Sequence, residues 1–347
     1  MQSHSFFDQL DTHTAPGQRG LPAAWLSFRS LEPDGRAENQ DNLVLLGPEG
    51  QSLCLRDQQP LTGQRADWPQ GRMRLAVLDG MGGHAQGREV AERIAIELLQ
   101  LPALQKPEAL YRQLDALHQR LFDHYARQTG QASPGATLTL LEIPQWHPQG
   151  CEAWLYHVGD SRLYELPPDG PARCLSIDHV PATRLAMGGY LDHAEWQQQV
   201  FAQNRSTISQ AFAFGNTLAH PQEPSAQEHR PDLLPLGPDN LPAWLAPMAD
   251  RRTLTLRPGH RYLLASDGLW NVVHPDQLVA RWPDLIGPET EPLVALHALA
   301  EALAEASNPD DIPSDNTTAI LLPMANQAAN PEPASRWPWS LFRRQSS

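Results

Sequence analysis

Short apolar runs, stopped again and again by Gly, Pro, Asp or Asn, set the first reading of this chain. Residues 25–28, 41–46, 53–55 and 72–78 are rich in Leu, Val and aromatic side chains between such stops and predict strands. The spacing then changes. Val90, Ile94 and Leu98 recur at helical intervals within 88–100, and Leu110, Leu114, Leu117, Leu121 and Tyr125 line one face of a second predicted helix over 108–128. Strand-like runs return at 136–143, 153–158, 161–166, 253–256, 262–265 and 317–322, with a late helix predicted over 293–306. Consecutive strands joined by short turns imply antiparallel sheets, and helices grouped between them imply outer layers, so the expected class is α+β.

Four stretches fall outside this pattern. Residues 1–20 and 326–347 are expected to be flexible ends, the second Pro-, Ala- and Ser-rich and closing on the aromatic and basic run from Arg336 to Arg344. Residues 180–204 contain a Gln-rich segment and suggest a mobile surface element. Residues 216–249 are Pro-rich, and Leu234, Leu236, Leu241, Trp244 and Leu245 within them suggest a loop that docks on the body. Everything between, 21–325, is expected to form one domain.

Composition narrows the function. A net charge of −14 opposes the electrostatic attraction on which nucleic-acid binding depends, so nucleic acid is not an expected partner. Cys54, Cys151 and Cys174 are scattered and suit a reducing compartment rather than a disulfide framework. Residues 1–20 lack the apolar stretch a secretory leader needs, and no run approaches membrane-spanning length, so a cytoplasmic monomer is expected.

Candidate chemistry lies at the ends of the apolar runs. Asp41, Asp79, Asp160, Asp267 and Asp315 each stand where a strand-like run meets a turn. Singly, each is ordinary turn chemistry, because Asp-Gly and Asp-Asn accept tight reversals. Jointly, carboxylates at several strand mouths would crowd negative charge onto one rim, which needs cations to neutralise it. Oxygen ligands without a Cys or His cluster favour magnesium or manganese over zinc. His84 and His157 have no partner at metal-binding spacing and are expected to be packed or surface side chains.

Seven segments carry a resemblance in order along about residues 24–323. Arg36-Ala-Glu-Asn-Gln-Asp41, Asp79-Gly-Met-Gly-Gly83, Pro134-Gly-Ala-Thr137, Val158-Gly-Asp-Ser-Arg162, Ser176-Ile-Asp-His179, Ser266-Asp-Gly268 and Asp315-Asn-Thr317 resemble the motifs of the metal-dependent protein serine/threonine phosphatases of the protein phosphatase 2C class, the PPM family, in its bacterial form. The resemblance implies a four-layer α-β-β-α sandwich, two mainly antiparallel sheets flanked by helices. It also implies hydrolysis of phosphoserine and phosphothreonine on protein substrates by water activated at a dinuclear manganese or magnesium centre, opposing a serine/threonine kinase. Asp79 would bridge the two ions, with the Gly80 carbonyl on one, while Asp267 and Asp315 hold the other. Asp41 would complete the set directly or from behind, and Arg36 would grip the substrate phosphate. Residues 180–204 fall at the family's flap.

Three positions depart from the family pattern. Met81 stands where some members carry a proton-donating histidine, and a thioether cannot donate, so solvent or a metal-held water must do so. Gln40 replaces a frequent glutamate. Asn271 replaces an aspartate expected to hold a third ion with Asp160, so that site is expected to be weak. Two other readings share the scaffold: a pseudophosphatase that binds phosphoproteins without turnover, and a small-molecule phosphoesterase.

Overall fold

The computed structural model describes residues 12–15, 21–31, 36–82, 85–129, 134–202, 207–217, 230–308, 312 and 314–326. The first half runs β1 (Thr12–Ala15), β2 (Ala24–Phe28), β3 (Asn42–Leu46), β4 (Gln51–Arg56), β5 (Gln59–Gln64), β6 (Met73–Leu78), β7 (Gly80–Met81), α1 (Ala85–Gln100), α2 (Pro107–Thr129), β8 (Gly135–Ala136) and β9 (Leu138–Ile143). Next come β10 (Cys151–Val158), β11 (Arg162–Leu166), β12 (Arg173–Cys174), α3 (Pro181–Met187), α4 (His193–Phe201), β13 (Gln210–Ala211) and β14 (Gly215–Asn216). The chain closes through β15 (Arg251–Leu256), β16 (Arg261–Ala265), α5 (Pro275–Leu285), α6 (Pro292–Ala306) and β17 (Thr317–Pro323).

Two antiparallel sheets dominate. One has the order β1-β2-β17-β16-β11-β12 and the other β15-β10-β9-β6-β3-β4-β5. Their central strands are buried along their whole length, and the side-chain period of two explains how. Leu43, Leu45, Leu75 and Val77 belong to the core shared with Tyr262, Leu264, Ile320 and Leu322 of the opposite sheet. Their neighbours Val44, Ala76 and Leu78 turn outward onto Val90, Ile94, Leu114 and Leu117 of α1 and α2. On the far side, Leu263, Ala265 and Leu321 meet Leu278, Trp282, Leu296 and Leu299 of α5 and α6. Three apolar interfaces separate four layers, the expected α-β-β-α sandwich. None of the described helices is long and apolar enough to cross a membrane.

The structure departs from the sequence reading at the periphery. Residues 12–15, expected within a flexible leading segment, pair with β2 as an edge strand. The element over 180–204, read as a mobile Gln-rich stretch, is built from α3 and α4. A capping box fixes the start of α4, where the Asp192 side chain accepts from the Glu195 N–H and the Glu195 carboxylate accepts from the Asp192 N–H. Residues 230–249 form a strap whose Leu236, Leu241 and Leu245 pack with Val180, Ala182, Ala186, Trp196 and Val200 of that element. The expected tail lies outside the described residues from 327 onward, as do 218–229 of the Pro-rich stretch.

Candidate metal centre

Strand register assembles the carboxylates. Asn42 pairs with Leu78, so Asp41 and Asp79, one step beyond each, emerge side by side at one end of the seven-stranded sheet. Ala265 pairs with both Arg162 and Ala319 in the other sheet. Asp160, Asp267 and Asp315 therefore leave that sheet at one common end. Gly268 makes the turn after β16 possible, since a Cβ there would stand 1.9 Å from the Asn316 carbonyl oxygen.

Asp79, Asp160, Asp267 and Asp315 line a cavity of about 600 Å³ together with Arg36, Glu38, Gly80 and Met81. Asp41 stands behind this wall, buried, with its Oδ2 accepting from Ser266 Oγ at 2.7 Å. Asn271 lines a smaller adjoining cavity of about 110 Å³, which Asp160 and Asp267 also border beneath the α3–α4 element. Arg36 is half-exposed on the lip and donates from Nη2 to Asp315. Gln40 donates from Nε2 to Glu38 at 3.1 Å. His157 is buried and bonded to the Ile177 carbonyl at 2.9 Å, while His84 lies outside the described residues.

The electrostatics are those of an acid cluster short of positive charge. Burial, and then the charges of Asp41, Asp267, Asp315 and Asp160, push the Asp79 carboxyl well above the ordinary range. Burial pushes Asp41 up to about 8 against the Ser266 hydrogen bond, with Asp315 and Asp267 adding to the rise. Asp267 rises to about 6 through burial and Asp315, offset by a hydrogen bond with Asp79. Asp160 also rises, through burial and Asp267. Asp41 Oδ1, Asp160 Oδ1 and Asp267 Oδ1 are buried without a hydrogen-bond partner. Buried carboxylate oxygens left this way are costly, and a cation is the ordinary remedy. Among the described residues no three His, Cys, Asp or Glu side chains converge tightly enough to hold an ion as they stand.

No protein-family model and no curated protein matches the chain. Solved structures do. The S. agalactiae serine/threonine phosphatase superposes with a TM-score of 0.58 at 15% identity, over 87% of this chain and 98% of that one. The Mycobacterium tuberculosis serine/threonine phosphatase PstP/Ppp gives 0.54 at 22% identity, over 88% and 98%. The catalytic domain of PstP in complex with two manganese ions gives 0.51 at 21%, over 86% and 96%. This is the bacterial serine/threonine phosphatase fold. Within it, the cavity sits where both sheets of the phosphatase fold present the same strand ends.

Several residues that shape the site were not singled out from the sequence as site residues. Ser266 orients Asp41, and Asn316 Oδ1 accepts from the Gln40 N–H at 2.9 Å, tying the two strand ends together. Thr137 Oγ1 accepts from the Asp79 N–H at 2.9 Å and meets Ser161 Oγ at 2.6 Å. Arg162, two residues after Asp160 in the motif, is spent on Asp178 at 2.7 Å and stacks between Phe201 and Trp270. These contacts join residues more than a dozen positions apart in the chain, so only their positions inside the seven motifs pointed to them.

Proposed function

We propose that the chain is a metal-dependent protein serine/threonine phosphatase of the PPM family, formed by one domain over 21–325. The observation that carries this is the gathering of Asp79, Asp160, Asp267 and Asp315 around one open cavity, with unpartnered buried oxygens on Asp160 and Asp267. A donor set made only of carboxylates and a backbone carbonyl fits manganese or magnesium. Asp79 would reach both ions, Gly80 would offer its carbonyl to one, and Asp267 and Asp315 would hold the other. Asp160 and Asn271 would form a weaker third position. When bound, two such ions activate water and neutralise the phosphoryl oxygens.

The chain's own side chains account for the rest. Asp41, held by Ser266 behind the cavity wall, would back the ions or join them as a direct ligand once a cation displaces its proton. Arg36 on the lip presents a guanidinium to phosphate oxygens, orienting the ester for in-line attack. Met81 lines the cavity and cannot donate a proton, so the departing serine or threonine oxygen takes its proton from solvent. Phosphoproteins made by a serine/threonine kinase are the substrates, and three free thiols support a cytoplasmic setting.

The deciding experiment is hydrolysis of an aryl phosphate and a phosphothreonine peptide with manganese, with magnesium and with chelator. Metal-dependent turnover of both supports the reading. Metal binding without turnover would leave a phosphoprotein-binding module, and turnover of the aryl phosphate alone would point to small-molecule substrates.

Arg36→Ala separates phosphate binding from metal binding. Losing a charge-assisted hydrogen bond worth about 1.5–3 kcal/mol should raise KM for the phosphopeptide about ten- to a hundredfold with a smaller effect on kcat. Manganese affinity should hold or improve, because Arg36 no longer competes for Asp315. Unchanged steady-state kinetics would remove Arg36 from the site.

A further inference from the structure

We infer that Asp250 and His179 are positioning residues through which the strap 230–249 sets the backbone at Asp160. Gly159, immediately before Asp160, donates its N–H to His179 Nδ1 at 2.9 Å. An accepting Nδ1 places the ring proton on Nε2, which faces Asp250 Oδ2 at 3.2 Å. The same Oδ2 accepts from the Leu236 N–H at 2.9 Å. Leu236 belongs to the apolar cluster of the strap and the α3–α4 element, so the strap, the imidazole and the turn carrying Asp160 share one hydrogen-bonded line.

Both side chains are fully buried, and the line is braced on every side. His179 donates its own N–H to the Gly159 carbonyl at 2.8 Å, and the His157 N–H goes to the Asp250 carbonyl at 2.9 Å. His157 and His179 stack with centroids 5.2 Å apart. Gly159 has φ +105, and a Cβ there would lie 2.6 Å from Thr137 Cγ2, whose hydroxyl holds the Asp79 N–H. The turn at 159–160 therefore requires a glycine, and His179 is the side chain that grips its amide. Groups that orient ligands from behind typically carry about 10- to 100-fold in metal affinity or activity.

This inference rests on the metal reading of Asp160. Its test is manganese titration of the full chain by calorimetry, for wild type, Asp250→Ala and Asp250→Asn, with circular dichroism to verify folding. Asp250→Ala removes the acceptor shared by Leu236 and His179 and should weaken the manganese step at the Asp160 position about tenfold, leaving the steps at Asp79, Asp267 and Asp315 unchanged. Turnover should fall with KM for aryl phosphate unchanged, because Arg36 is untouched. Asp250→Asn keeps one acceptor oxygen where Oδ2 stands and should restore most of the binding, a rescue that a role in bulk packing or net charge would not give.

Amide exchange on the wild-type chain decides the matter even if Asp250→Ala does not fold. Coupling between sites is reciprocal, so manganese must slow exchange at Leu236 as well as at Gly159. Protection of Gly159 alone, or a folded Asp250→Ala chain with wild-type manganese binding, overturns the inference. A wild-type chain that binds no manganese overturns the metal reading and takes this one with it.

Discussion

Asp267→Asn is expected to abolish most turnover while leaving the fold intact. The carboxylate lines the central cavity, and its Oδ1 is buried without a hydrogen-bond partner. An asparagine fills the same space and keeps one amide oxygen, but it removes the charge and replaces the second oxygen with an NH₂ that cannot ligate. Loss of one ligand from a centre that both activates the nucleophile and neutralises the phosphate should lower kcat on the order of 10³-fold or more, about 4 kcal/mol of transition-state stabilisation. The stability effect should run the other way. Asp267 titrates near 6 in the folded chain, raised first by burial and then by Asp315, so above that pH its ionised form is unfavourable without a cation. In chelator at neutral pH the variant should therefore unfold at or above the wild-type temperature. Near-normal turnover with manganese would sink the assignment of Asp267.

The same physics explains which parts of this molecule were legible in its sequence. Strands such as β3 and β6 are buried on both faces, so their side chains form unbroken apolar runs that stand out against the polar turns. Helices α1 and α2 bury one stripe each and announce themselves by spacing. The edge strand β5, Gln59–Gln64, is exposed throughout and carries Pro60 and Gly63, leaving no alternation to read. Helix α5 contains Pro283, a residue that disfavours a helix interior and masks the pattern. Residues 180–204 looked polar because only one face of α3 and α4 is buried, and the face that covers it comes from the strap some forty residues later. The capping pair Asp192 and Glu195 was the local signal for α4.

The candidate site divides along similar lines. Its aspartates stood out because each ends or begins a strand, where a lone carboxylate is conspicuous. Asp41 lined up with the others in sequence yet sits behind the cavity wall, a distinction that depends on how Ser266 reaches it from the other sheet. Asn271 likewise borders the smaller cavity rather than the larger one. Sequence order carries the membership of such a cluster, while depth within it is set by packing between sheets.

Manganese should stabilise the chain more as pH rises, and release protons as it binds. In the metal-free protein, burial and mutual repulsion hold Asp41 near 8 and Asp267 near 6 and push Asp79 upward, whereas the unfolded chain's aspartates titrate at about 3.9. Between about pH 4 and about pH 8 the folded state therefore binds more protons than the unfolded one. Stability from these groups is fully present below the unfolded value and is lost as pH climbs through the folded values. A bound divalent cation reverses the preference by favouring the ionised carboxylates, and it must displace their protons to enter. The melting temperature in chelator should fall between about pH 6 and about pH 8, while the increment added by manganese grows over the same range. Calorimetry in buffers of different ionisation enthalpy should show proton release that diminishes as pH approaches 8. A manganese increment that is flat or shrinks with rising pH would mean that the ion binds away from Asp41, Asp79 and Asp267, and the centre would have to be sought elsewhere on the chain.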